Sequence, residues 1–399
     1  MSGSSPFGEG FDFGSMMANL AKFFSTEGSI NWEVARQLAL WVSSEGQSEE
    51  NVDPTERISF EELIRVAELH VQQFTSLDTS PHGELLKIRP LTRSEWATET
   101  LKNWSKLLEA LAQSLNPKGN TDTASQIEPE NESNPFGFLF GDMNGISSML
   151  SPVFLGMQSG AMVGYLAQKS FGQYSLPIPG PQHDELIVIP ANINNFAKDW
   201  SLSADDTRMW VCLNETIHHG ILSIPHISNR LNDLLLSYVS GFDNNSEAIQ
   251  ERLSQIDPMR PDTFQETLGD PSTLLGAIQS PSQLITLSQI RALLSAIEGY
   301  TDYVLDNLGS KLMTSYPVLS EASKRRRVEQ GEGDQLVGKL FGIELNQSLY
   351  EKGRSFIEGI VERAGQEKLQ SLFNTAKNLP TPSEVDAPGL WLERISLPE

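Results

Sequence analysis

Glu215 and His218 stand three residues apart in Trp210-Val211-Cys212-Leu213-Asn214-Glu215-Thr216-Ile217-His218-His219, and no other residues of the chain have types and spacing so suited to chemistry. On a helix, positions 214 and 218 fall one turn apart on the same face. Two histidines so placed, in the pattern H-E-x-x-H, grip a zinc ion while the glutamate between them serves as general base. Here Asn214 occupies the first of the two positions. The same spacing also occurs on an ordinary helix that packs by its apolar face and leaves Glu215 and His218 in water, so both readings stand at this point.

A zinc centre of this kind needs a third protein ligand, and a carboxylate oxygen serves at about 2.0 to 2.2 Å. Glu298 and Asp302 lie four apart in an otherwise apolar run from Leu293 to Val304, which puts both on one side of a helix. Glu298 is the candidate ligand, and Asp302 the candidate partner that steadies a ligating histidine from behind. A pair of solvated carboxylates would show the same spacing. Tyr300 or Tyr303 is a candidate to stabilise an oxyanion, although a tyrosine on such a helix also serves as core. His219 cannot take the place of Asn214, because adjacent residues diverge by about 100° around a helix; its candidate role is to support His218. His183 or His226 would complete the ligand set if the fold carried one of them to it.

The elements that must position these residues are helices. Ser203 followed by Asp206 starts the helix over 204–221, Gly220 and Pro225 stop it, and Trp210, Leu213, Ile217 and Ile221 give it a face to bury. A long helix spans 282–312 and carries Glu298. Ahead of these, the spacing predicts helices over Ser15 to Phe24, over Asn31 to Val42, from Pro54 onward, and as one element from Thr92 to Leu115. Residues 1–115 read as an N-terminal helical subdomain, 116–134 as a linker rich in Asn, Ser and Thr, and 135–399 as the domain that holds the site. Glu185 to Pro190 is the best strand, and further helices follow over Ile227 to Tyr238, Glu247 to Gln255 and Pro261 to Leu268. The segments 379–382 and 388–399 read as loops, with Trp391 as an anchor. The fold class expected is mainly α with a small β-sheet (α+β).

Composition bounds the partners. With a formal net charge of −23, the surface as a whole repels duplex nucleic acid and anionic membranes. Met143 to Gln168 contains no charged residue, yet its serines, glycines and Pro152 make it too polar and interrupted for a membrane span. Gly156, Gly160 and Gly164 recur every fourth residue and suit a buried helix that another helix approaches closely. The Lys324 to Arg327 cluster reads as a solvated helix face. The lone cysteine, Cys212, reads as a small packing residue, and no signal peptide is visible, so a cytoplasmic, reducing location is expected.

Several blocks carry a resemblance: Leu155-Gly-Met-Gln-Ser-Gly160, Gly172-Gln-Tyr, Glu185 to Asn192, Trp210 to His219, Glu298-Gly-Tyr-Thr-Asp302, Tyr350-Glu-Lys-Gly353 and Leu379-Pro-Thr-Pro382. In content and order, over about residues 135 to 395, they resemble a bacterial family of zincin-like hydrolases grouped with the zinc-dependent metalloproteases. The resemblance implies a zincin-like metallopeptidase architecture, zinc as cofactor, Glu215 as general base, and His218 and Glu298 as ligands. The family carries histidine where this chain has Asn214. An amide is a weak zinc ligand or none, and loss of one strong ligand would cost several kcal/mol of binding. Asp302, without a histidine to steady, would then accept from the Asn214 amide. Two functions follow: a metal-dependent hydrolase acting on a peptide or small-molecule substrate, or a binding or scaffolding protein on the same fold.

Overall fold

A computed structural model describes residues 28–81, 83, 85–115, 143–180, 184–242, 280–329 and 331–397. The expected helices over Ser15 to Phe24, Glu247 to Gln255 and Pro261 to Leu268, and the linker 116–134, lie outside the described residues. The described helices are α1 (Trp32–Ser43), α2 (Pro54–Thr75), α3 (Arg93–Asn103), α4 (Ser105–Leu115), α5 (Met143–Lys169), α6 (Pro190–Asp199), α7 (Ala204–Leu222), α8 (Pro225–Ser240), α9 (Pro281–Leu312), α10 (Tyr316–Val328), α11 (Glu332–Phe341), α12 (Gln347–Ala364), α13 (Pro382–Asp386) and α14 (Pro388–Ser396). Two short strands, β1 (Lys87–Pro90) and β2 (Glu185–Val188), form one parallel pair, with Ile88 opposite Leu186 and Pro90 opposite Val188. The chain is therefore mainly helical with a small sheet, as its patterning predicts.

The expected strand is β2, and it ends where Pro190 opens α6 at a helix's first position. Its partner β1 comes from the first 115 residues, so the sheet joins the two ends of the site's framework. The hydrophobic core likewise runs without a break from Ile30 to Trp391. Within it, α5 is the central helix that the glycine stripe predicts. A methyl group on Gly156 would stand 2.5 Å from the Asn31 carbonyl oxygen, and one on Gly164 would stand 2.6 Å from Val42 Cβ, so the bare backbone of α5 is what lets α1 lie against it. Among the described residues no helix is long and apolar enough to cross a membrane.

Three expectations are corrected. The element from Thr92 to Leu115 is two helices, α3 and α4, divided at Trp104 (φ −91°, ψ 3°), where the turn lets the indole meet Phe341 edge-on at 5.9 Å. The C-terminal segments read as loops are helical from Pro382 and Pro388, because proline at a first turn begins a helix as readily as it ends one. Trp391 is the anchor expected, fully buried, with its Nε1–H donating to the Asn378 carbonyl at 2.6 Å. The Lys324 to Arg327 cluster is only partly solvated: Arg325 faces water beside Glu321, whereas Arg326 and Arg327 turn inward.

The tightest crossing in the core is that of α9 over α12, at Gly299 and Gly353. A methyl group on Gly299 would collide with the Gly353 carbonyl, and one on Gly353 with the Ser295 carbonyl, both backbone groups that cannot swing aside. Gly299→Ala is expected to lower unfolding stability by at least about 2 kcal/mol. Gly389→Ala, where an added methyl group meets nothing within 4 Å, is expected to change it by less than about 0.5 kcal/mol. Chemical denaturation of the two variants beside wild type checks both; equal effects would show that the crossing has slack.

Candidate functional site

Helix α7 begins where Ser203 Oγ accepts from the Asp206 N–H, as the capping pair predicts, and its apolar stripe Trp210, Leu213, Ile217 and Ile221 is buried throughout. The polar face is buried too. Glu215 is 0% exposed and His218 2%, so the reading of an ordinary surface helix is overturned. The reason is α9, which lies against α7 and brings Glu298, 4% exposed, onto His218.

Four residues meet. His218 Nε2 lies 3.1 Å from Glu298 Oε1, and His218 Nδ1 lies 2.9 Å from the Asn214 carbonyl oxygen one turn back. A carbonyl only accepts, so Nδ1 carries a proton, and the remaining proton of the pair sits between Nε2 and the Glu298 carboxylate. Burial opposes charge on His218, but Glu298, the Asn214 carbonyl and Glu215 outweigh it and raise the imidazole's pKa above its ordinary value. Glu215 points the other way. Its Oε2 accepts from the Tyr174 N–H at 2.8 Å, and the Asn214 amide reaches its Oε1 at 3.5 Å. Complete burial pushes the Glu215 carboxyl up to about 7, against the hydrogen bond from Tyr174 and the charge of His218.

The partner of Glu215 is delivered by the segment Phe171 to Ser175, which runs antiparallel beside β2 through a bridge from Gly172 to Val188. Ser175 Oγ accepts from the Phe171 N–H within the segment, while Phe171 O accepts from the Ile189 N–H and Trp96 Nε1–H donates to Gly172 O, so the segment is held by its own turn and from two sides. Gly172 must be bare, since a methyl group there would stand 2.6 Å from Glu215 Cδ. The Tyr174 ring stacks 6.1 Å from His218, and its hydroxyl lies 3.1 Å from His219 Nδ1. His219, with Asp184 3.9 Å from its Nε2, therefore steadies Tyr174 and reaches the site through it.

Other candidates lie elsewhere. Tyr300, roughly 200° around α9 from Glu298, packs edge-on against Phe373 at 5.1 Å and lines a small cavity with Phe74 and Tyr303. The half-buried His226 has no hydrogen-bond partner for Nε2 among the described residues, and His183 lies outside them. Asp302 does not accept from the Asn214 amide: it takes Arg327 Nη1 at 2.6 Å, because α10 runs back across α9 and a guanidinium outcompetes an amide for a buried carboxylate. Arg327 in turn stacks 4.7 Å from the Tyr350 ring. Membership of a basic cluster is the one trace of this residue's placement in the sequence.

Whether these groups suit zinc is a question of donor chemistry. Two donors on one tetrahedral zinc, each at about 2.1 Å, stand about 3.4 Å apart. His218 Nε2 and Glu298 Oε1 come close to that. Among the described residues a third donor is lacking, since the Asn214 amide faces Glu215 and no three of His, Cys, Asp and Glu converge as a metal site would require. The nearby cation Arg327 opposes a second one. The described residues do not fit a three-ligand zinc centre.

A family model of zincin-like metallopeptidases matches residues 30–392. Among solved structures, a crystal structure from Chloroflexus aurantiacus, described as "a putative hydrolase with a novel fold", superimposes with a TM-score of 0.65 at 23% sequence identity, covering 93% of this chain and 100% of that one. At that identity the likeness speaks for the fold alone. No curated protein matches.

The buried carboxyl makes stability depend on pH. Glu215 binds its proton more tightly folded than unfolded, so between about 4.5 and about 7 the native state holds a proton that the unfolded chain has released. This contribution to stability is complete below 4.5 and is lost as pH rises to about 7. The raised pKa of His218 acts in the same direction, from its unfolded value of 6.5 upward. Glu215→Gln, which keeps an acceptor for Tyr174, is therefore expected to gain on wild type as pH rises, by on the order of 3 kcal/mol at pH 8. Denaturant unfolding of both proteins at pH 5 and pH 8 checks it; a difference independent of pH would rule out the buried, raised carboxyl.

Proposed function

The chain belongs to the zincin-like metallopeptidase family, and we propose that its metallopeptidase-type site works as a metal-free, hydrogen-bonded assembly, making the protein a binding or scaffolding module on a zincin fold. The observation that carries this reading is the direct contact of His218 Nε2 with Glu298 Oε1, a proton holding together two groups that zinc joins in the family's sites. Asn214 supports it, because its amide serves Glu215 and offers no imidazole. In this reading Glu215, His218 and Glu298 fix the geometry of α7 against α9, and the role of His219 is to hold Tyr174 in place.

A hydrolase acting at the same site is the second reading, and one observation favours it. A carboxyl at about 7 is poised to take and return a proton near neutral pH, which is what a general base at position 215 would need. Tyr300, turned toward Phe373, has no part in either reading.

Metal content separates the two. The full chain, purified without a histidine tag, is expected to carry less than about 0.1 zinc per molecule by elemental analysis, and Asn214→His about one, since the added imidazole restores a strong third ligand. About one zinc in wild type would sink the metal-free reading and make peptide-library cleavage the next measurement.

A further inference from the structure

Helix α9 places two carboxylates, Glu298 and Asp302, on one buried face, at 4% and 9% exposure. Each ionised group so buried costs several kcal/mol unless an opposite charge answers it. For Glu298 the answering group is His218. For Asp302 it is Arg327, whose Nη1 donates at 2.6 Å and whose guanidinium lies over the Tyr350 ring at 4.7 Å. Burial works against the Arg327 charge, and Asp302, Tyr350 and Glu298 together outweigh it. The guanidinium thus feels both carboxylates, although it touches only one.

We propose that Arg327 is a tethered cation that supplies the positive charge a bound metal would otherwise bring to the Glu298 and Asp302 face, and that it thereby sets the site against divalent ions. It is a positioning residue, acting through Asp302 and through its field at Glu298, and the inference rests on the reading that the site works without zinc. Three features beyond the salt bridge support it. Arg327 is anchored on α10, where its neighbour Arg326 donates to the Lys169 carbonyl and lies 3.7 Å from the Phe171 ring, so the basic turn is pinned on two sides. The Gly299 and Gly353 crossing brings Tyr350, one turn before Gly353, under the guanidinium. The charge is also fixed: Glu298 and Asp302 already face one imidazole and one guanidinium, and the guanidinium, unlike the imidazole, cannot give up its proton to make room for a divalent ion.

The test uses the full chain in two arms. In the first, thermal unfolding in chelator compares wild type, Arg327→Met, Asp302→Asn and the double variant. Arg327→Met is expected to melt about 5 °C lower, and the double variant to recover most of the loss, because the carboxylate left unpaired is gone. In the second, zinc affinity is measured by competition with a chelating dye in the Asn214→His background. Arg327→Met is expected to tighten zinc about tenfold, while Arg327→Lys, which keeps the charge, leaves it unchanged. A residue that merely packs would move melting temperature but not zinc affinity. Failure of the double variant to recover, or equal zinc affinity in all three Asn214→His proteins, overturns the proposal. If no Asn214→His protein binds zinc, with Arg327 or without it, the guanidinium is not what keeps the metal out, and the proposal is overturned together with the restored-site reading.

Discussion

His218 and Glu298 meet 3.1 Å apart where neither has more than a trace of contact with water, and a lone charge on either would cost several kcal/mol. The arrangement of the surrounding helices follows from that constraint. α7 and α9 must approach closely enough to share a proton, and Gly299 lets α9 lie tightly on its support α12. Asp302, one turn along α9 on the same face, imposes a second demand of the same kind, and α10 meets it by folding back to present Arg327. Unlike a hydrophobic contact, these pairs fix a distance and an orientation, and so set the register of three helices.

Support for this centre comes from far along the chain. The segment after α5 aims the Tyr174 N–H at Glu215, and that segment is held by β2 and by Trp96 of α3. β2 is itself paired with β1, and α5 is held by α1 through its glycine stripe. Thus the first 115 residues reach the site through the Trp96 indole, the β1–β2 pair, the α1 crossing and α2, which packs directly on α7 and places Glu56 3.0 Å from Arg208. Asn192 of α6 is a hub of the same kind: its amide donates to the Ala167 and Ser170 carbonyls, and its oxygen accepts from Arg93.

The parts of this structure that were legible in the sequence are those set by spacing along one element. The α7 stripe and its cap, the paired faces of 214 with 218 and of 298 with 302, the β2 strand and the glycine face of α5 all follow from periods of 3.6, 2 or 4 residues. The parts that were not legible depend on what another element brings. Nothing local distinguishes Arg327, which pairs with Asp302, from Arg325, which faces water, because both lie in one basic run and only the path of α10 separates them. Tyr300 is the converse: a residue of the right chemical type beside Glu298 in sequence, turned away by the helical period itself. Pro382 and Pro388 misled for a different reason, since proline's fixed φ suits a helix's first turn as well as a chain break.

Asn214 and Arg327 can be understood as two halves of one electrostatic arrangement. An imidazole at 214 would give Asp302 a donor of the kind a metal-bound histidine offers, and the carboxylate would need no other. An asparagine amide at that position carries no charge and turns to Glu215, so Asp302 is left buried with its full negative charge. A buried carboxylate in that situation either takes up a proton or acquires a cation, and the guanidinium 2.6 Å away is that cation. On the metal-free reading proposed, the neutral residue on α7 and the charged one on α10 act together through the two carboxylates of α9. An exchange at either position alone would therefore unbalance the pair, which is why the polar centre is better described by its total charge than by its match to a five-residue motif.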